Sequence, residues 1–307
     1  MYIYEHKVRE VLTYEALIPA IRQALIDFSA GLVDQPARMV LRANNAEGLR
    51  NGWFAVMPVI AGDMMGVKTV TFYPGNAELG LHTHMAVVEL IRRSTGEPLA
   101  VMDGRLITEM RTAAVSAVAL DALAPATATS LGILGSGVQA RSHIEAFRRV
   151  RPALNEICVW SRTTANAERL AAETGARVVS IEEAAASDVV LTVTSSPTPI
   201  LEGRWLSEEA LVLAVGATGA SLRELDDELM RSCFVVAESR SCAERESGDV
   251  RLSGATVQAE IGEVLSGKIA APVGRRILFK SVGMAIEDLV GASLVWQARS
   301  REPFPDK

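Results

Sequence analysis

An apolar run, Leu131-Gly132-Ile133-Leu134, opens directly into Gly135, Gly137 and Ala140 in the pattern G-x-G-x-x-A, and the segment beyond carries Ala140, Ile144, Phe147 and Val150 along one helical face. Strand, glycine turn and helix in that order leave few folds open. The first glycine permits a tight turn, the second lets main chain approach a pyrophosphate, and the small third residue lets the helix pack on the strand. The helix N-terminus adds free N–H groups and a dipole that favours phosphate. Gly135, Ser136, Gly137, Val138, Gln139 and Ala140 are therefore the first candidates for cofactor contact.

The surroundings of the loop extend the pattern. From Glu109 an Ala-rich helical stretch, MRTAAVSAVALDALA, is followed by TSLGILG, EICVWS, ARVVS, DVVLTVTSS, LVLAVGA, CFVVAES and ILFKSVG, which read as strands separated by helical segments such as RSHIEAFRRV, ANAERLAAET and LDDELMRS. That alternation predicts an α/β chain with a Rossmann-type doubly wound parallel sheet and right-handed crossovers. Hydrophobic residues make up 49% of the chain and aromatics only 5%, the aliphatic balance of a sheet covered on both faces. Upstream, TYEALIPAIRQALIDFSAG reads as an amphipathic helix capped by Thr13, and ARMVLRA, GWFAVMPVIAG, GVKTVTFYPG, MAVVELIRR and PLAVMDGRLIT read as strands of a mostly antiparallel sheet up to about residue 108. The last segment, MAIEDLVGASLVWQARSRE, reads as a helix returning to that first domain. The expected layout is a smaller discontinuous α+β domain, 1–110 plus 285–307, for substrate and dimerisation, and a dinucleotide-binding domain, 111–284.

Several classes of function fall away on composition. A net charge of −6 gives no broad basic surface, so nucleic acid is not an expected partner. Cys158, Cys233 and Cys242 are odd in number and lack ligand spacing, which argues against a disulfide framework or a zinc site and for a reducing cytoplasm. No apolar run approaches the roughly 20 residues that span a bilayer. A soluble, cytoplasmic enzyme with no membrane partner is expected.

Where an NAD-binding chain usually ends its second strand in Asp or Glu, this one has Trp160-Ser161-Arg162-Thr163. A carboxylate would repel a 2′-phosphate, whereas Arg162 can pair with it and the Ser161 and Thr163 hydroxyls can donate to it. NADPH is expected over NADH; the plainer reading makes Arg162 a solvated residue and Thr163 the next helix cap. In the first domain Arg38, Lys68 and Arg111 are cations set in apolar runs, costly unless paired, and a small carboxylate would satisfy them. His82 and His84 in LHTHM would share one strand face, but no third ligand has suitable spacing, so no metal is expected and one of the two is read as lining the site. Asp226, Asp227 and Glu228 follow a short loop and include a candidate catalytic acid, or simply favourable charge in a first helical turn.

Taken together, RTAAVSAVA at 111–119, LGILGSGVQARSHIEAF, VWSRTTANAERLA, RELDDELM, ESGDVRLSG at 246–254 and FKSVGMAIED at 279–288 resemble the ornithine cyclodeaminase/mu-crystallin family, nearest its mu-crystallin-like ketimine reductases. The resemblance runs from about Arg38 to Asp288. It implies a homodimer built through the first domain and a substrate carboxylate held by Arg38, Lys68 and Arg111, with Lys68 among the catalytic residues. It also implies cofactor contact at Thr83, Arg111, Thr112, Ser161, Arg162, Thr163, Thr194, Val215, Gly216, Ala217, Lys280 and Ser281, and His84 and Glu246 facing the substrate. An acid/base Asp in RELDDELM would be Asp226 or Asp227. The implied activity is NADPH-dependent reduction of cyclic ketimine carboxylates, Δ1-pyrroline-2-carboxylate and Δ1-piperideine-2-carboxylate, to proline and pipecolate. Alternatives are an NAD-dependent ornithine cyclodeaminase, an alanine-dehydrogenase-like enzyme and a non-catalytic NADPH-binding protein. Ser161-Arg162-Thr163 departs from the acidic strand end that such cyclodeaminases resemble.

Overall fold

The computed structural model describes residues 1–44 and 51–300, and the chain divides into two compact units, Met1–Arg111 with Met284–Lys307, and Thr112–Gly283. The last helix, expected through Glu302, is described over Ala285–Ser300; Arg301 and Glu302 lie outside the described residues.

In the first unit the described residues form seven strands: β1 (Tyr2–Ile3), β2 (Val33–Asp34), β3 (Met39–Asn44), β4 (Asn51–Ala61), β5 (Met64–Phe72), β6 (His84–Arg92) and β7 (Pro98–Asp103). They pair in the order β1-β7-β6-β5-β4-β2, with β3 also on β4, and only the β1–β7 pairing is parallel. The period of two is clearest in β5, where Gly66, Lys68 and Val70 point to one buried face. The register sets Lys68 between Met57 of β4 and Val88 of β6. Helices α1 (Glu5–Val11) and α2 (Tyr14–Ser29) and the last helix complete the unit. The last helix comes so near β5 that a Cβ on Gly66 would lie 3.1 Å from Leu289 and 2.4 Å from the Glu89 carbonyl, so only glycine fits there. By contrast β3 exposes Met39, Val40 and Leu41.

Two local readings change. The strand expected through PLAVMDGRLIT stops at Asp103, whose carboxylate accepts the Arg105 N–H at 2.9 Å, and helix α3 (Arg105–Leu123) starts there, four residues before Glu109. The cap satisfies an otherwise orphaned donor, so the apolar Leu106 and Ile107 become helical. Of the two histidines in LHTHM only His84 belongs to β6. His82 lies in the preceding connection, its carbonyl accepting from Asn76, while the Thr83 carbonyl accepts from Tyr73 N–H. The two imidazoles therefore do not share a strand face. Among the described residues no group of three His, Cys, Asp or Glu is placed to hold a metal.

The second unit is a doubly wound parallel sheet, the fold class expected. Its described strands are β8 (Ser130–Leu134), β9 (Glu156–Trp160), β10 (Arg177–Val178), β11 (Val189–Thr192), β12 (Leu211–Ala214), β13 (Phe234–Ala237), β14 (Ala259–Glu260) and β15 (Ile277–Lys280). Their order is β10-β9-β8-β11-β12-β15-β13-β14, every pairing parallel. Every residue of β11 and β12 is buried, which is why these strands read as continuous apolar runs and not as alternations. Helices α4 (Val138–Val150), α5 (Thr164–Thr174), α6 (Ile181–Ala185), α7 (Asp227–Ser232), α8 (Arg240–Glu246), α9 (Gly248–Ser253) and α10 (Ile261–Leu265) accompany them. Among the described residues no helix is long and apolar enough to cross a membrane.

Candidate active site

In the first unit three elements bring charge together inside the protein. Lys68 of β5, 3% exposed, lies with its Nζ 2.5 Å from Oδ2 of Asp288 in the last helix. Arg111 of α3 donates from Nε to Asp288 Oδ1 at 3.1 Å and from Nη1 to Glu287 Oε2 at 2.5 Å. Thr108, one turn earlier on α3, reaches the same Asp288 oxygen. Glu287 and Asp288 are themselves wholly buried, so the two cations neutralise two carboxylates that could not otherwise remain charged away from water.

This setting fixes the protonation states. Burial is the main force pulling Lys68 down to about 8; Asp288 opposes it, while Arg111 and Arg38 add to the fall. Burial raises the cost of charge on Asp288, but Arg111 and Lys68 hold its carboxyl below the usual range. His84, near the same cations at the start of β6, is taken down to about 4, first by burial and then by Lys68 and Arg111. It is a neutral imidazole at pH 7. Arg38 is half-buried just ahead of β3, near enough for its charge to act on Lys68. Lys68 and Arg111, paired with the two buried acids, are thus brought together with a neutral His84 and the charge of the half-buried Arg38, and the Lys68 proton is held near neutrality.

In the second unit the glycine loop follows β8. Gly135 has φ +125°, and a Cβ there would lie 2.8 Å from the Val193 carbonyl, so the turn requires glycine. Gly137 is the N-cap of α4 and contributes no side-chain cap, and a Cβ on it would meet nothing within 4 Å. A phosphate can therefore come up to the uncapped first turn, beside the exposed Val138 and half-buried Gln139, while Ala140 is fully buried against the sheet. Ser136 and Ser161 hydrogen-bond through their hydroxyls at 2.9 Å, joining this loop to the end of β9. Arg162 and Thr163 are exposed; Thr163 caps α5 through its backbone only, and Arg162 forms no ion pair among the described residues. These residues could hold a dinucleotide, whose pyrophosphate would lie at α4 and whose adenosine end would lie at Ser161-Arg162-Thr163.

Three buried carboxylates hold the loops at the carboxyl ends of the strands. Glu224 accepts from the N–H groups of Thr194, Gly216 and Ala217 at 2.7–3.0 Å and from the hydroxyls of Thr192 and Thr194. Burial pushes this carboxyl up, and Lys280 and its donors pull the other way. Asp249 accepts from the N–H groups of Glu224 and Leu225 and from Lys280 Nζ at 3.0 Å. Glu238 accepts from Ser281 Oγ and from Val282 and Gly283 N–H. Thr194, Lys280 and Ser281 thus direct their side chains into this buried network, beside the buried Val215, and Gly216 packs against the Thr194 backbone.

Other sequence candidates are differently occupied. Asp226 caps α7, accepting from Leu229 N–H at 2.8 Å and from Gly203 N–H, and Asp227 is half-buried between Arg223 and Arg231. Glu228 is exposed in the first turn of α7, Glu246 pairs with Arg245 at the end of α8, and Thr112 is buried beside Arg111. The residues that sequence reasoning passed over are acids: Glu287, Asp288, Glu224, Glu238 and Asp249. Glu287 and Asp288 carried a signal, since two charges in the apolar MAIEDLVGA call for partners just as Lys68 does in MGVKTVTF.

Comparison with known proteins gives the family. The family model described as the ornithine cyclodeaminase/mu-crystallin family matches residues 1–302. The ketimine reductase mu-crystallin of Mus musculus is 45% identical over 293 residues, covering 92% of each chain. Among solved structures, the Thermococcus litoralis Δ1-pyrroline-2-carboxylate reductase in complex with NADH and L-proline superposes with a TM-score of 0.89 at 30% identity, covering 97% of this chain and 96% of that one. An archaeal alanine dehydrogenase dimer with bound NAD gives 0.91 at 28% identity, with 98% and 96% covered. The chain belongs to the ornithine cyclodeaminase/mu-crystallin family.

Proposed function

We propose that the chain reduces cyclic ketimine carboxylates, Δ1-pyrroline-2-carboxylate and Δ1-piperideine-2-carboxylate, to proline and pipecolate with NADPH, as a homodimer in the cytoplasm. The observation that carries the reading is the buried group of Lys68 and Arg111 over Glu287 and Asp288, with Arg38 beside it. Such a group suits a small planar carboxylate, and a bidentate grip on it supplies rate through orientation. The reduced nicotinamide, when bound, supplies the hydride.

The remaining work falls to side chains. Reduction of a C=N bond needs a proton at nitrogen, and an acid whose pKa lies near the working pH delivers it best. Lys68, drawn down to about 8, meets that requirement, whereas Asp226 is engaged in a helix cap and Asp227 in two ion pairs with arginines. Arg162, exposed where an NAD-binding chain usually places an acid, supports NADPH over NADH. The apolar surface of Met39, Val40 and Leu41 on β3 supports a dimer through the first unit, and the relative solved as a dimer is consistent with it. Three buried free thiols suit a reducing compartment.

The test follows NADPH and NADH absorbance with each cyclic imine, with pyruvate plus ammonia, and with ornithine. Loss of NADPH with the imines is expected. Consumption only with pyruvate and ammonia would favour the alanine-dehydrogenase alternative, and conversion of ornithine without added cofactor the cyclodeaminase. Binding of NADPH with no turnover of any of these would leave a non-catalytic binder.

A further inference from the structure

The two adjacent acids of the last helix do not face the same partners. Asp288 meets Lys68 through one oxygen and Arg111 through the other, whereas Glu287 meets Arg111 at Nη1. We propose that Asp288 is a positioning residue that holds the Lys68 ammonium for proton delivery to the substrate nitrogen, and that Glu287 serves Arg111 and leaves the Lys68 proton unaffected. The inference rests on the reductase reading above. In the step it serves, the ring carbon gains hydride from the reduced nicotinamide, an N–H bond of Lys68 breaks as one forms on the imine nitrogen, and the neutral lysine regains its proton from water.

The geometry gives Asp288 this part by exclusion of other anchors. Lys68 is buried on the covered face of β5, and the charged or titratable groups that act on it are Asp288 from the last helix, Arg111 from α3, and Arg38 from the chain ahead of β3. His84, on β6, feels Lys68, Arg111 and Arg105 and stays neutral. Desolvation, Arg111 and Arg38 all oppose a charge on Lys68; Asp288 alone among these favours it. Removing that carboxylate therefore moves the lysine in a known direction, toward losing its proton earlier. An opposite charge at this range is worth about 1–3 pH units.

The chain makes the experiment direct, because it contains only five lysines, Lys7, Lys68, Lys268, Lys280 and Lys307. With 13Cε-labelled lysine, each side chain gives one resolvable resonance, and Lys68→Arg identifies the one in question. The full-length protein, its Asp288→Asn variant and its Glu287→Gln variant are titrated by NMR, and the pH profile of kcat/KM for the cyclic imine is recorded alongside. The expected result is a Lys68 midpoint near 8 in the parent, lower by about 1–3 units in Asp288→Asn and unmoved in Glu287→Gln. The alkaline limb of kcat/KM should follow the resonance in each case, moving down in Asp288→Asn and staying in place in Glu287→Gln even as kcat/KM falls there.

A Lys68 midpoint in Asp288→Asn within a few tenths of a unit of the parent overturns the proposal, as does an equal shift in Glu287→Gln. A limb that stays in place while the resonance moves overturns the assignment of the proton to Lys68. Should Asp288→Asn fail to fold, Lys68→Met added to it removes the uncompensated lysine while Arg111 keeps Glu287, and must yield more folded protein than Asp288→Asn alone; a double variant with no more folded protein than the single refutes the pairing. A parent that turns over no imine defeats the reductase reading, and the NMR titration still decides whether Asp288 sets the Lys68 proton.

Discussion

Glu224 gathers three main-chain N–H groups from two loops onto one side chain, and the cost of removing it can be worked out. In Glu224→Ala the N–H groups of Thr194, Gly216 and Ala217 lose an acceptor that stood at 2.7, 2.9 and 3.0 Å. A buried donor left without a partner costs about 1–3 kcal/mol, so the three together cost roughly 3–9 kcal/mol. Some of that returns, because burial already works against this carboxyl, and water entering the space left behind recovers more. We therefore expect a net loss near the lower end, about 3 kcal/mol, out of a total stability of about 5–15 kcal/mol. For a unit of this size it corresponds to a fall of roughly 6–12 °C in Tm. Glu224→Gln is the sharper variant. It keeps the shape but turns one oxygen into an N–H2 donor facing N–H groups, so at least half of the loss should remain. Thermal unfolding followed by circular dichroism, with and without NADPH, reads both. A Gln variant within about 1 kcal/mol of the parent refutes the reasoning, because it would mean that the native carboxyl already carries a proton.

Three further outcomes are expected. Arg162→Ala should raise KM for NADPH by about 10–100-fold while leaving NADH nearly unchanged, the value of a charge-assisted contact to phosphate; equal losses for both cofactors in initial-rate assays would remove the 2′-phosphate role. Val40→Lys puts a charge on the exposed edge of β3 and should shift the protein to monomer by size-exclusion chromatography, and an unchanged elution volume would place any dimer contact elsewhere. Gly135→Ala should lower stability by about 1–3 kcal/mol from its left-handed backbone alone, with more from the carbonyl of Val193, and a Tm equal to the parent's would show that the turn relaxes.

Much of the second unit was legible because its signals are local. The glycine loop, seven of the eight strands and their alternation with helices each announce themselves within a window of a dozen residues, and only β14 gave no signal. Lys68 was legible for a different reason: a lone cation in an apolar strand demands a partner. That partner was not, because Asp288 lies far along the chain from Lys68, as it does from Arg111 across 177 positions, and no local pattern encodes such a meeting. In RELDDELM four acids lie within five residues, and the one that turned inward is Glu224, ahead of the Asp226, Asp227 and Glu228 that spacing singled out. A contiguous charge run hides which member faces the core. The start of α3 was misjudged by four residues because Asp103 and Gly104 resemble a hairpin turn as much as a helix cap.

Arg111 serves two carboxylates from two different edges of one planar guanidinium, and this has a consequence for descent. Lysine offers a single point of charge and cannot meet Asp288 and Glu287 side by side, so exchange of one cation for the other breaks the arrangement even though charge is conserved. Loss of either acid, in turn, leaves the arginine partly unmatched in a buried setting. The three positions are bound to change together or not at all, and a lineage that altered one by single substitutions would have to pass through a less stable ancestor. Arginine 111 and the acidic pair near the other end of the chain should therefore be inherited as one character.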